Sequence, residues 1–242
     1  MLLRVVHPPD AESRAQRTYY AMRAAHYDEA HVQANDEHQL ALAFMVGAIQ
    51  FLDVRSVLDV GSGTGRVLTY LKTHAPAVAR AGVEPVGELR QVAYGKGVSE
   101  AELRDGDATR LAFPEESFDL VSEFGMLHHV RDHARVVREM LRVASKAIFI
   151  SDSNNFGQGS RLKRAAKQAL RSAGLWRAAD LVKTRGKGYS ITEGDGLSYS
   201  YSVFDDYELI RANCRSVHVL NTQDADVNPY RSASHVALLG IK

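Results

Sequence analysis

Three glycines on alternate positions, Gly61, Gly63 and Gly65, break the chain between one apolar run and another, and no other stretch constrains the fold as tightly. Val57, Leu58 and Val60 before them form a run too short for a helix and rich in β-branched residues, which predicts a buried strand. Val67, Leu68 and Leu71 after them have helical spacing. The glycines therefore occupy a strand-to-helix turn. Without a Cβ, the backbone there takes positive φ and lets a ligand approach to contact, while free N–H groups at the helix start face the same crevice. A P-loop requires Gly-Lys-Ser/Thr after four intervening residues, and no such group follows. A dinucleotide fingerprint requires Gly or Ala where this chain has Arg66, which disfavours NAD.

An acid two residues before Gly-x-Gly-x-Gly, here Asp59 before Gly61-Ser62-Gly63-Thr64-Gly65, resembles the first motif of the class I S-adenosylmethionine-dependent methyltransferases. The resemblance implies a seven-stranded Rossmann-like α/β sandwich and S-adenosyl-L-methionine as cofactor. Ala81 to Val83 read as a weak second strand ending in Glu84-Pro85, and Glu84 lies 23 positions after Gly61. An acid at that spacing accepts hydrogen bonds from ribose hydroxyls. It also suits the start of a helix as a plain N-terminal charge. Glu102 to Asp105 form a short third strand followed by Gly106-Asp107-Ala108. The family places an acid here for the exocyclic amine of adenine, which makes Asp107 the candidate, with Asp105 as its neighbour or substitute. Glu123 and Phe124 end the fourth strand, which Phe118 opens after Phe113-Pro114. Ser62, Pro85, Ala108, Glu123 and Phe124 complete the implied cofactor site. In the family, tyrosines of a segment like His26-Tyr27-Asp28-Glu29 help close that site, which adds Tyr20 and Tyr27; by themselves such helix tyrosines are ordinary packing residues.

His128 and His129 follow the fourth strand at the edge where ligands sit in doubly wound sheets, and a neutral imidazole there can act as general base. The plainer reading is that the pair positions the loop through backbone hydrogen bonds. His129 and His133 lack the intervening Glu of a zinc-protease helix, so that metal site is rejected. Glu123, Asp152 and Asn154 offer hard oxygen ligands for Mg²⁺, although turn-forming Asp and Asn explain the latter two as well. Ala144-Ser145-Lys146 replaces the Lys-Pro-Gly-Gly-like turn usual before the fifth strand, expected at Ala147 to Ser151, and this departure weakens assignment to any subfamily.

Residues 1–52 are expected to form two N-terminal helices, Ala11 to about His31 capped by Asp10 after Pro8-Pro9, and about Asp36 to Leu52. The second is apolar on nearly every side from Leu40 onward, which suits burial on several faces or a homodimer contact. Residues 156–203 form a lid-like helical insertion between the fifth and sixth strands, with helices near 160–172 and 175–182. Between 152 and 188 there are nine cations, Arg161, Lys163, Arg164, Lys167, Arg171, Arg177, Lys183, Arg185 and Lys187, against Asp152 and Asp180. Arg161, Arg164 and Arg171 share a helix face and read as a clamp for an anionic acceptor, with Tyr199, Tyr201 and Trp176 at its rim. A merely solvated basic surface is the alternative. The last strands are expected at Ser216 to Leu220 and Ser234 to Ile241.

The chain has 242 residues with 45% hydrophobic content, enough for one core and so for a single domain over 1–242. Its 30 Lys and Arg against 29 Asp and Glu argue against a nucleic-acid coat, and no Asn-Pro-Pro-Tyr-like base-methylating motif follows the fourth strand. Cys214 is the lone cysteine, which excludes a disulfide framework. Met1 to Val6 is too short for a signal peptide, and the longest apolar run falls short of the roughly 20 residues that span a bilayer, so a soluble cytoplasmic protein is expected. The expected activity is methyl transfer to an oxygen or nitrogen of a small, anionic or sugar-linked acceptor. A non-catalytic cofactor-binding scaffold that recruits a partner through the basic insertion is the rival.

Overall fold

The computed structural model describes residues 11–33, 35–223 and 226–242. The expected Asp10 cap and the Pro8-Pro9 break lie outside the described residues. Helix α1 (Ala11–Arg23) is followed by a 3-10 turn at Ala24–His26 and by α2 (Tyr27–His31), so the expected single helix to His31 is broken. Helix α3 (Glu37–Phe51) starts where the Asp36 carboxylate accepts from Gln39 N at 2.9 Å. It buries Ala41, Leu42, Met45, Ala48 and Ile49 and leaves Leu40, Phe44 and Phe51 exposed along the other side.

The core then alternates strand and helix: β1 (Ser56–Val60), α4 (Arg66–His74), β2 (Ala79–Val83), α5 (Gly87–Gly95), β3 (Leu103–Arg104), β4 (Phe118–Phe124), α6 (His133–Val143) and β5 (Ala144–Ser153). The fifth strand is longer at both ends than expected. The insertion holds α7 (Arg161–Ser172), α8 (Trp176–Lys183) and an antiparallel hairpin of β6 (Tyr189–Thr192) and β7 (Gly196–Tyr199), followed by α9 (Tyr207–Asn213), β8 (Ser216–Leu220) and β9 (His235–Ile241). Serines between its apolar residues give the hairpin its period-2 pattern.

Seven strands form one sheet in the order β3-β2-β1-β4-β5-β9-β8, parallel except for β9, which runs antiparallel to both neighbours. Two apolar layers cover it. One joins α6 and α9 through Val136, Val137, Met140 and Ile210 to Leu58, Val121 and Ile148; the other joins α3 and α4 through Leu42, Met45, Val67 and Leu71 to Val57, Leu120 and Phe149. Each fully buried Leu, Ile, Val or Phe contributes about 1.5–3 kcal/mol, which anchors both faces. The order reverses at β1, since the chain goes to β2 on one side and later returns to β4 on the other. Val60 pairs with Val83 and with Glu123, so Gly61, Glu84 and Phe124 all emerge together at the carboxyl edge beside the switch point, where open α/β sheets bind ligands.

Candidate active site

A cavity of about 740 Å³ opens at this edge, with Gly61, Ser62, Gly63 and Thr64 on one wall and His38, Phe124, His128, His129 and His235 on another. Gly61 has φ +74° and Gly63 φ +52°, so both take the backbone region that favours glycine. A Cβ on Gly61 would lie 2.7 Å from Met126 Cγ, whereas one on Gly63 would meet only the Tyr27 ring, at 4.0 Å. Asp59 lies buried beneath the loop and accepts from Ser122 Oγ at 3.0 Å; burial pushes its carboxyl up to about 7. Arg66, at the position that disfavours a dinucleotide fingerprint, is ion-paired with Asp36 on the cavity wall.

Glu84 is 6% exposed, and its two oxygens accept from Gly63 N at 3.0 Å and Val86 N at 2.9 Å. Burial raises its pKa against the pull of those amides. It therefore braces the glycine loop from below. Glu84, Pro85, Asp107, Ala108 and Glu123 do not line the cavity, whereas Asp59, Gly61, Ser62, Gly63, Phe124, Tyr20 and Tyr27 do. The separation comes from the N-terminal helices. Ala24, Tyr20 and Tyr27 pack on Val86 and Leu89, and Arg17 reaches Asp107 Oδ2 at 3.5 Å, so α1 and α2 lie over the ends of β2 and β3. Asp107 also accepts from Thr109 N at 2.9 Å, and Asp105 pairs with Arg90 at 3.1 Å.

His128 Nδ1 lies 2.6 Å from Asp152 Oδ1, and its Nε2 lies 3.5 Å from Asp195 Oδ2. Burial opposes charge on this imidazole, but the two carboxylates outweigh it and raise its pKa well above the ordinary value. Burial likewise opposes charge on Asp152, and His128 overcomes that, holding Asp152 below the usual carboxylate range. His129 behaves in the opposite way: burial, then the neighbouring His128, lower its pKa and leave it neutral. Its Nδ1–H donates to Leu197 O at 2.7 Å, because a carbonyl can only accept, and Nε2 accepts from Tyr20 Oη at 2.8 Å. Asp195 Oδ1 stands 3.4 Å from that Nε2. The hairpin turn thus latches onto the histidine pair, and sequence reasoning missed Asp195 because it lies in a stretch that reads as glycine-rich connector.

The oxygen cluster expected for Mg²⁺ does not face the cavity as a set. Asp152 is 0% exposed and also accepts from Leu127 N at 2.8 Å, while Asn154 is 0% exposed and donates to Pro229 O at 3.2 Å and Ala233 O at 3.1 Å. Glu123 is buried beside Asp152; burial, then the charge of Asp152, raises its pKa well above the ordinary value and keeps it protonated. These groups are turned to internal partners. Among the described residues, two clusters of metal-capable side chains line the cavity: His128, His129 and Asp195, already tied to one another, and Glu37, His38 and His235, with His38 Nδ1 3.0 Å from Ser151 Oγ and His235 Nδ1 2.9 Å from Glu37 Oε1. Burial, then the His235 charge, pushes His38 down to about 4. No local spacing joins residues that lie on α3 and at the start of β9, so no sequence pattern marks them as a set.

The expected arginine clamp is also displaced. Arg161 is exposed, Arg164 donates to Gly159 O at 2.8 Å, and Arg171 pairs with Asp205 at 3.1 Å and covers the Phe156 ring at 4.2 Å. None of the three lines the cavity; the insertion cation that does is Lys183. Tyr199 lines it, with its hydroxyl donating to Glu12 Oε2 at 2.5 Å. Tyr201 also lines it but is 2% exposed and bonds Asp206 Oδ2 at 3.1 Å, so it forms part of the floor rather than the rim. Trp176 packs against Phe156 at 5.2 Å and does not line the cavity.

Residues 58–149 match the family described as methyltransferase domain. Demethylmenaquinone methyltransferase of Deinococcus radiodurans is 37% identical over 92 residues, 37% of this chain and 38% of that protein. Phosphatidylethanolamine N-methyltransferase of Cereibacter sphaeroides is 35% identical over 131 residues, 47% of this chain and 57% of that protein. The chain spans about half the length of the curated relatives it matches. Magnesium protoporphyrin IX methyltransferase of Synechocystis, solved with bound S-adenosylhomocysteine, superposes over 96% of this chain and all of that one, with a TM-score of 0.61 at 13% identity, and so shares the fold. Glycine loop, switch-point cavity and sequence match agree: residues 58–149 are a methyltransferase domain, and the chain has the fold of the class I S-adenosylmethionine-dependent methyltransferases.

Proposed function

We propose that residues 1–242 form a single-domain methyltransferase acting on an oxygen or nitrogen of a small molecule. The observation that carries this reading is that the glycine loop and the neutral His129 open onto one cavity. The residues present fit the family's cofactor, since Gly61 and Gly63 leave no Cβ in the cradle and Tyr27 roofs Gly63. When bound, S-adenosylmethionine supplies an electrophilic methyl group. Gly61, Ser62 and Gly63 would hold it from the loop, with Glu84 and Asp107 beneath α1 and α2.

His129 takes up a proton at Nε2 through Tyr20 Oη, which passes its own proton to the ring as it receives the acceptor's, and Asp195 then faces the imidazolium that forms. His128, already charged between Asp152 and Asp195, cannot accept a proton and instead holds the hairpin in place. Positioning supplies most of the acceleration, where effective molarities reach about 10⁵–10⁸ M. An anionic group on the acceptor would meet Lys183 rather than the arginines of α7. Calorimetric titration with S-adenosylmethionine, followed by labelled methyl transfer to a panel of phenols, amines, sugars and lipid-linked acceptors, tests the proposal. Cofactor binding without transfer to any acceptor would favour the non-catalytic scaffold.

A further inference from the structure

The insertion turns apolar side chains outward. Neither α7 nor α8 buries a residue, and Leu162 is 84%, Leu175 55%, Leu181 48%, Val182 81% and Ile191 66% exposed. Leu175, Ala178 and Val182 recur at intervals of three and four and so share one face of the α8 segment, and Arg177, Lys183 and Arg185 are exposed on the same segment and just beyond it. Among the described residues, Arg171 and Lys183 are the insertion cations within ion-pair distance of a carboxylate, at 3.1 Å from Asp205 and 4.0 Å from Asp180. Arg164 and Lys167 donate to the carbonyls of Gly159 and Asn155. Arg161, Lys163, Arg177, Arg185 and Lys187 remain exposed on the same insertion.

We infer that this face attaches the protein peripherally to an anionic lipid bilayer. A solvated basic surface has no use for outward Leu and Val, because each exposed apolar side chain forgoes its burial energy. A second copy of the chain would bring one cationic face against another and be repelled. An anionic bilayer satisfies both features: its headgroups attract the cations, and the acyl boundary takes up Leu162, Leu175 and Val182, as for other basic amphipathic segments that lie on membranes. The chain's net charge is +1, so the rest of the molecule is acidic and the field orients the insertion toward the lipid. No helix among the described residues is long and apolar enough to cross a membrane, so attachment is to the surface. It is independent of methyl transfer.

Sedimentation of the full chain with phosphatidylcholine vesicles, with and without phosphatidylglycerol, tests the inference. Binding should require phosphatidylglycerol and weaken with salt. Arg177→Glu with Arg185→Glu should reduce it more than tenfold, since each surface cation accounts for about fivefold. Leu175→Asp with Val182→Asp should do the same while circular dichroism stays unchanged, because neither side chain is buried. Equal binding to both vesicle types, binding to neither, or variants that bind as the parent does would overturn it. A salt-stable dimer in lipid-free solution, abolished by Val182→Asp, would overturn it too and assign the face to a protein contact.

Discussion

His128 Nδ1 and Asp152 Oδ1 stand 2.6 Å apart where the turn after β4 meets the end of β5, a buried ion pair beneath the cavity. The depressed Asp152 contributes stability above the ordinary carboxylate pKa of about 3.9 and loses it as falling pH protonates the folded form. The raised His128 contributes fully below about 6.5 and loses its share as pH rises through its folded value. Asp152→Asn should therefore cost up to about 3–5 kcal/mol between pH 4 and 6.5, because it leaves the buried His128 charge with only the more distant Asp195 as partner, and the deficit should shrink in alkali. Urea unfolding across pH measures this; a deficit independent of pH would mean that the pair is not ionised.

Gly61 and Gly63 separate packing from ligand contact. Gly61→Ala must move Met126, whose Cγ would be 2.7 Å away, and also holds φ +74°, so it should destabilise the fold by about 1–3 kcal/mol. Gly63→Ala meets nothing nearer than 4.0 Å and carries only the strain of φ +52°, about 1–2 kcal/mol. Its larger effect should fall on S-adenosylmethionine affinity. Calorimetry beside thermal melts distinguishes the two, and equal loss of affinity and stability in both variants would contradict the assignment.

The strand-turn-helix at 56–74 was legible because it is local: β-branched run, glycines and helical apolar spacing lie within 19 consecutive residues. The seven-stranded Rossmann-like sandwich followed from the resemblance and stands in the structure. What remained hidden depends on contacts across the chain. Tyr20 to His129, Asp195 to His128 and Glu37 to His235 are each long-range pairs, and none leaves a periodic trace. The arginines of α7 were correctly placed on one helix, but period cannot say whether that face meets the cavity, the body or solvent. Tyr201 turns inward for a related reason, since the chain leaves β7 after Tyr199 and enters the core, ending the alternation that put both tyrosines on one face.

Glu84 has a structural role of its own, separate from the ribose contact expected of it. Glu84→Ala removes the acceptor for two buried amides, Gly63 N and Val86 N, each costing about 1–3 kcal/mol. The variant should therefore lose stability as well as ten- to a hundredfold in cofactor affinity. Glu84→Gln, which keeps one acceptor oxygen, should lose less of both. Full stability with unchanged affinity in the alanine variant would move the ribose contact elsewhere.

The two histidines should separate in kinetics. His129 is neutral, faces the cavity and has Asp195 3.4 Å from its Nε2, so His129→Ala should lower kcat by about 10²–10⁴ with cofactor affinity nearly unchanged. The remaining activity should respond to added imidazole, which a purely structural role would not produce. In the parent, kcat should fall as pH drops below the lowered His129 pKa, because the protonated ring cannot accept another proton. His128→Gln should act differently, since it loosens the hairpin through Asp195 and should raise the acceptor KM while leaving that acid limb in place. If His129→Ala turns over at near-normal rate and keeps the acid limb, the histidine only latches the hairpin, and the proton leaves by another route.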